Sequence, residues 1–138
     1  MIDGGSPFGQ LVERRLRDEL VVWLITVDRD GRPQPTRVWF LRDGDDLIVY
    51  SRADARRLVH LARGSRVALL FEQRPRETGV VLHGDARRDD GLPSPDANPP
   101  YLAKYADRIA RGLRMTPAEF ARRYPVGLRI AITGVSDR

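Results

Sequence analysis

The chain has 138 residues, 41% hydrophobic and 31% charged, enough for one soluble domain with its own core and too few for two ordinary ones. It contains no cysteine, which excludes disulfides, thiolate metal sites and a cysteine nucleophile and makes the cytoplasm the expected location. The 24 basic residues outnumber the 19 acidic ones for a net charge of +5, which suits an anionic ligand.

The arginines are scattered rather than gathered in a block, so no nucleic-acid partner is expected. Lys104 is the one lysine. No apolar run is long enough to span a bilayer, and Met1–Ser6 lacks the basic start and apolar stretch of a signal peptide.

The spacing of Phe8, Leu11, Val12, Leu16 and Leu20 predicts a helix from Pro7 to Leu20, with Arg14, Arg15, Arg17, Asp18 and Glu19 on its opposite side. Val21–Val27 is short, β-branched and apolar on both faces, which predicts a buried strand. Asp28–Gly31 is a hairpin turn signal. A second strand returns through Arg32 to Leu41, with Arg37, Trp39 and Leu41 on one face and Val38 and Phe40 on the other. Its prolines, Pro33 and Pro35, keep its start at a sheet edge.

After a turn at Arg42–Asp46, Leu47–Tyr50 is the third strand. A helix follows to about Arg63, with Ser51 or Asp54 as its N-cap and Gly64 as its stop. Arg66–Phe71 and Thr78–Ala86 are strands four and five. Arg87–Pro100, with four prolines, reads as a mobile loop. Tyr101–Gly112 is helical, with Leu102, Tyr105, Ala106 and Ile109 on one stripe. Thr116-Pro117-Ala118-Glu119 has the form of a capping box, and Val126–Val135 is the sixth strand. Six strands with mostly tight connections predict an all-β barrel or sandwich with helical decoration, since a parallel α/β fold needs crossovers that are absent.

Few residues offer chemistry. His60 and His83 are the only histidines and lie on different elements, so no metal site is expected and a haem ligand at either is a minor alternative. No nucleophile elbow, dinucleotide fingerprint or Walker loop is present. One stretch remains. Tyr50 and Ser51 end a strand, and Arg56 and Arg57 open the next helix, where free N–H groups and the helix dipole favour an anion. Two guanidiniums there make a cradle for a phosphate. Taken locally, a solvated helix face accounts for the same arginines more simply. If strands two and three pair, Arg37 and Trp39 fall near the same rim, and a flat ring with an anionic tail fits that set. A barrel-rim charge and a core tryptophan fit it equally.

The ordered pieces Leu24–Val27 with Asp30–Pro33, Val38–Phe40, Asp43–Asp45, Tyr50–Ser51, Arg56–Leu61 and Arg66–Leu69 resemble the split-barrel superfamily related to pyridoxamine-phosphate oxidase. Its members bind FMN or the deazaflavin F420. Tyr101–Tyr105 through Met115–Phe120 to Arg129–Ile130 is similar to the tail of its F420-dependent subgroup. The resemblance implies a mainly β fold: a six-stranded antiparallel split β-barrel with flanking helices, one cofactor-binding domain over residues 1–138. Residues 1–20 would be its N-terminal helix and 87–125 a loop and helical insertion before the last strand. It further implies a homodimer with cofactor sites at the interface, and hydride transfer from reduced F420 to a small organic acceptor. FMN is the alternative cofactor, and a non-catalytic flavin- or haem-binding protein is the alternative function. By position, Arg37, Val38, Trp39 and Phe40 would line the ring and its linker, and Tyr50, Ser51, Arg56 and Arg57 would hold the phosphate. The family often has Lys at one of the last two positions, and Arg here keeps the charge with a different geometry. No catalytic residue is singled out.

Overall fold

Two residues decide the architecture of the computed structural model, which describes residues 2–137. Strand β2 (Pro33–Val38) pairs with β1 (Val22–Val27), and β3 (Leu41–Asp43) pairs with β4 (Asp46–Ser51), so only Trp39 and Phe40 separate β2 from β3. With β5 (Arg66–Leu70), β6 (Val80–Arg88) and β7 (Val126–Asp137), these strands form one seven-stranded antiparallel sheet in the order β2-β1-β5-β6-β7-β4-β3. β2 and β3 are thus its opposite edges. A flat sheet would hold those edges about 29 Å apart, at roughly 4.8 Å per strand. The chain from Val38 to Leu41 reaches at most about 11 Å. The sheet therefore curls until its edges nearly meet, as a barrel split along the β2/β3 seam.

The predicted second strand is divided by this seam, which makes seven strands of the expected six. Its alternation survives the break: Val38 and Phe40 point into the barrel core, while Trp39 and Leu41 join a cluster outside it. At the break, Phe40 has no ladder partner. Its N–H donates to the Tyr105 hydroxyl (2.8 Å), and its carbonyl accepts from Lys104 Nζ (2.8 Å) and Tyr105 (2.9 Å). A buried peptide must be paired somewhere, and helix α3 (Pro99–Asp107) supplies the partners.

Helix α1 (Pro7–Asp18) plugs the barrel with Val12 and Leu16 against Leu24, Leu69, Leu82 and Ile130. Ser6 caps it through the Gly9 N–H. Arg15, expected on the polar side, lies on the buried face, three residues after Val12 and next to Leu16. It is 3% exposed, with its guanidinium beside Glu19 and Glu77, bonded to the Glu72 carbonyl, and over the Phe71 ring. A buried guanidinium is tolerable only with such partners.

β4 is buried on both faces: Leu47 and Val49 face the barrel, while Ile48 and Tyr50 face an aromatic cluster made by α3 and α4 (Pro117–Arg123). Of the expected stripe, Tyr105 and Ile109 are buried, the latter just past the end of α3, whereas Leu102 is partly exposed and Ala106 exposed, and Tyr101 takes their place in the cluster. Between the two helices a π-helical turn (Arg108–Gly112) and Arg114, at a positive φ of 56°, reverse the chain. The expected mobile loop is pinned. Pro95 and Asn98 are buried, Pro95–Ala97 is a 3₁₀ turn, and Tyr50 Oη donates to the Pro93 carbonyl (2.6 Å) and accepts from Asn98 Nδ2 (3.0 Å). The capping box forms as read, with Thr116 and Glu119 each bonded to the other's backbone N–H.

Candidate functional site

The chain's aromatic and basic residues converge where the seam meets the C-terminal helices. A cavity of about 200 Å³ opens there. It is lined by Arg37, Val38 and Trp39 at the seam, by Tyr50 and Arg57 at and beyond the end of β4, and by Tyr101, Leu113, Phe120 and Tyr124 from the C-terminal helices. Five of the eight sequence-selected positions thus come together. They do so because the seam carries Arg37 past the end of β4, not because β2 and β4 share a ladder.

The other three stand elsewhere. Phe40 is in the barrel core, Ser51 is fully buried beneath Arg57, and Arg56 is exposed outside the cavity. Helix α2 (Arg56–Arg63) explains the last. Its N-cap is Ala55 rather than Ser51 or Asp54, with no side-chain capping bond. Successive helical residues point about 100° apart, so the start at Arg56 turns Arg57 inward and Arg56 out.

Arg57 is the unusual group. Its Nε donates to Ser51 Oγ at 2.9 Å. Burial pushes its guanidinium below the ordinary arginine value, with the nearby Tyr124 opposing. Among the described residues no carboxylate lies within ion-pair distance of it, whereas the buried Arg15 has two. Arg37 likewise has no ion pair and lies over the Trp23 ring at 5.7 Å. A desolvated cation without an acid is costly unless a ligand completes it.

The walls are flat. The Trp39 indole lies parallel to the Tyr105 ring (4.7 Å between centroids, 1°) and nearly parallel to Phe120 (5.6 Å, 10°). Tyr50 meets Tyr101 edge-on. Burial raises the Tyr50, Tyr101 and Tyr105 phenols above the usual tyrosine value, so all three stay neutral donors near pH 7. The Tyr50 hydroxyl is already committed to Pro93 and Asn98. The cavity therefore offers a free anion position at Arg57 and Arg37 beside aromatic faces. Neither histidine lines it: His60 Nδ1 bonds Thr26 Oγ1 (2.8 Å) and His83 Nε2 bonds Ser136 Oγ (3.0 Å). No group of metal-ligating side chains occurs among the described residues.

Sequence reasoning missed Tyr101, Leu113, Phe120 and Tyr124. One signal pointed to them: three of the four tyrosines fall between positions 101 and 124.

A curled antiparallel sheet, split at a seam and walled there by helices, defines a split-barrel protein. Residues 8–134 match the family described as "Pyridoxamine 5'-phosphate oxidase", and the chain belongs to that family. A pyridoxine/pyridoxamine 5'-phosphate oxidase of Proteus mirabilis is 35% identical over 81 residues, covering 57% of this chain and 37% of that enzyme. The chain thus matches little more than a third of the length of such curated relatives. Among solved structures, an F420 reductase is 27% identical with a TM-score of 0.67, covering 90% of this chain and 94% of the other. A conserved hypothetical protein of Mycobacterium tuberculosis shares the fold (TM-score 0.74, 18% identity, 96% and 83% covered). No helix among the described residues is long and apolar enough to cross a membrane.

Proposed function

We propose that this chain is an oxidoreductase that binds the deazaflavin F420 and passes hydride to a small organic acceptor. One observation carries the reading: the half-buried Arg57 guanidinium, without an acid partner among the described residues, in an aromatic-walled cavity shared with Arg37. The 27% identity to an F420 reductase supports the choice of cofactor, with FMN as the alternative. The residues present fit such a group. Arg57 and Arg37 hold its phosphate, and Val38 and Trp39 flank the ring and its linker. Ser51 fixes Arg57, and Phe40 fixes the strand break behind Trp39. When bound, the cofactor supplies the hydride chemistry, and the protein supplies orientation and a positively charged site.

At about 200 Å³ the cavity is smaller than most ligand sites. A second copy of the chain completes it. The outer sheet face beside Arg37 is apolar and unpartnered, which supports a homodimer with the site at its interface.

Side-by-side titration tests the reading. F420 fluorescence is expected to quench saturably on adding protein, and FMN to bind more weakly. Arg57→Met is expected to weaken F420 by about 100-fold, the loss of one desolvated charge contact, and the exposed Arg56→Met by far less. Equal affinity in wild type and Arg57→Met would refute the site. Tighter FMN binding would transfer the reading to the flavin.

A further inference from the structure

The only lysine of the chain stands apart from this site, in a cavity of its own. A depression of about 380 Å³ between α1 and β3 is lined by Glu13, Leu16, Arg17, Leu41, Arg42 and Lys104. Lys104 is partly buried there, and its nitrogen lies 3.7 Å from the centre of the Phe40 ring while donating to the Phe40 carbonyl at 2.8 Å. No carboxylate pairs with it: among the described residues Lys104 makes no ion pair, because Glu13 is bound bidentately by Arg42 and Asp18 by Arg17. The other cations of the cavity are thus neutralised, and the lysine is not.

We propose that Lys104 is a carbonyl-reactive amine whose cavity takes a small, uncharged aliphatic aldehyde as an imine. The amine nitrogen adds to the aldehyde carbon, the carbinolamine loses one water, and a C=N bond replaces the C=O; nothing is oxidised or reduced. The site is built for the product. A protonated imine keeps one N–H, which retains the bond to the Phe40 carbonyl, and its positive charge stays over the Phe40 ring. The partly exposed Leu41 receives the alkyl chain.

Burial also pulls the Lys104 ammonium down to about 8, against the opposing charge of Glu19. Near pH 7.4 roughly a fifth of the amine is then neutral, against roughly a thousandth for an ordinary lysine. The weaker base is the weaker nucleophile, so the net rate gain is smaller than that ratio.

Having one lysine makes the test clean. The 138-residue chain is incubated with butanal and cyanoborohydride at pH 7.4, and butylation is mapped by peptide mass spectrometry. Expected is labelling of Lys104 that saturates with butanal and runs at least about 10-fold faster than N-acetyl-lysine amide, an advantage lost in denaturing urea. Lys104→Arg should leave only the α-amino adduct in the intact mass. The mapped wild-type rate decides the matter even if that variant folds poorly. No adduct at Lys104, or a rate linear in butanal and equal to the reference amine, would overturn the proposal.

Discussion

At the residue scale, the site depends on how Arg57 is held. Ser51 is fully buried at the end of β4, and its hydroxyl accepts from Arg57 Nε. Ser51→Ala removes that acceptor without adding bulk. The guanidinium then keeps its charge but loses its fixed direction, so F420 affinity is expected to fall by about 10-fold, less than for Arg57→Met. The same fluorescence titration measures it; affinity equal to wild type would show that packing alone orients Arg57. This relation also shows what a sequence can reveal of a site. Trp39 and Tyr50 were legible because strand alternation fixes which side chains share a face. The roles of Ser51, Arg56 and Phe40 were not. Helix phase is set by where α2 begins, two residues after Asp54, and no local capping chemistry announces Ala55 as the start. Phe40 follows the strand alternation into the core, away from Trp39, but the strand break at which it sits is defined only by the full set of ladders.

At the element scale, α1 is fastened by its buried Val12 and Leu16, by the Glu13–Arg42 pair and by one buried charge. Arg15 joins it to the β5–β6 connection through Glu77 and the Glu72 carbonyl, and to its own end through Glu19. Arg15→Ala leaves the Glu72 carbonyl without its donor, takes the buried cation from Glu19 and Glu77, which keep only the more exposed Arg74 and Arg14, and opens a void beside Phe71. The expected cost is about 3 kcal/mol, read as a lower urea midpoint at unchanged m-value. Arg15→Met restores the volume and should recover part of the loss, which no purely electrostatic account predicts. Most elements were readable from the chain because their signals are local. Asp30-Gly31 and Asp43-Gly44 turn with glycine at φ 79° and 63°, and the capping box opens α4. The buried arginine was not, because its partners lie about 60 positions away and a run of arginines in a helix normally reads as solvated.

At the scale of the whole molecule, the sheet has two faces and only one is filled. Leu24, Leu69 and Leu82 point into the barrel and are inaccessible to solvent. Their neighbours point outward. The register places Trp23 beside Leu70 and Arg37, Ile25 beside Ala68 and Pro35, and Leu70 beside Val81. Each of these outer apolar residues is only partly covered, and Val27 at the end of the row is 46% exposed. Strand β2 is exposed at every position but Val38. A contiguous apolar face of this kind is suited to an interface, and it runs through Arg37 directly into the candidate cavity. A second copy seated on it would bury the face and wall off the cavity together. Ile25→Arg, in the middle of the face and outside the barrel core, is therefore expected to give a folded monomer where wild type sediments as a dimer, and to lose F420 affinity although every cavity-lining residue is intact. Sedimentation velocity and the fluorescence titration on the same samples separate the outcomes. A wild-type monomer would remove the dimer from the reading. A monomeric Ile25→Arg variant with full affinity would place the whole cofactor site within one chain.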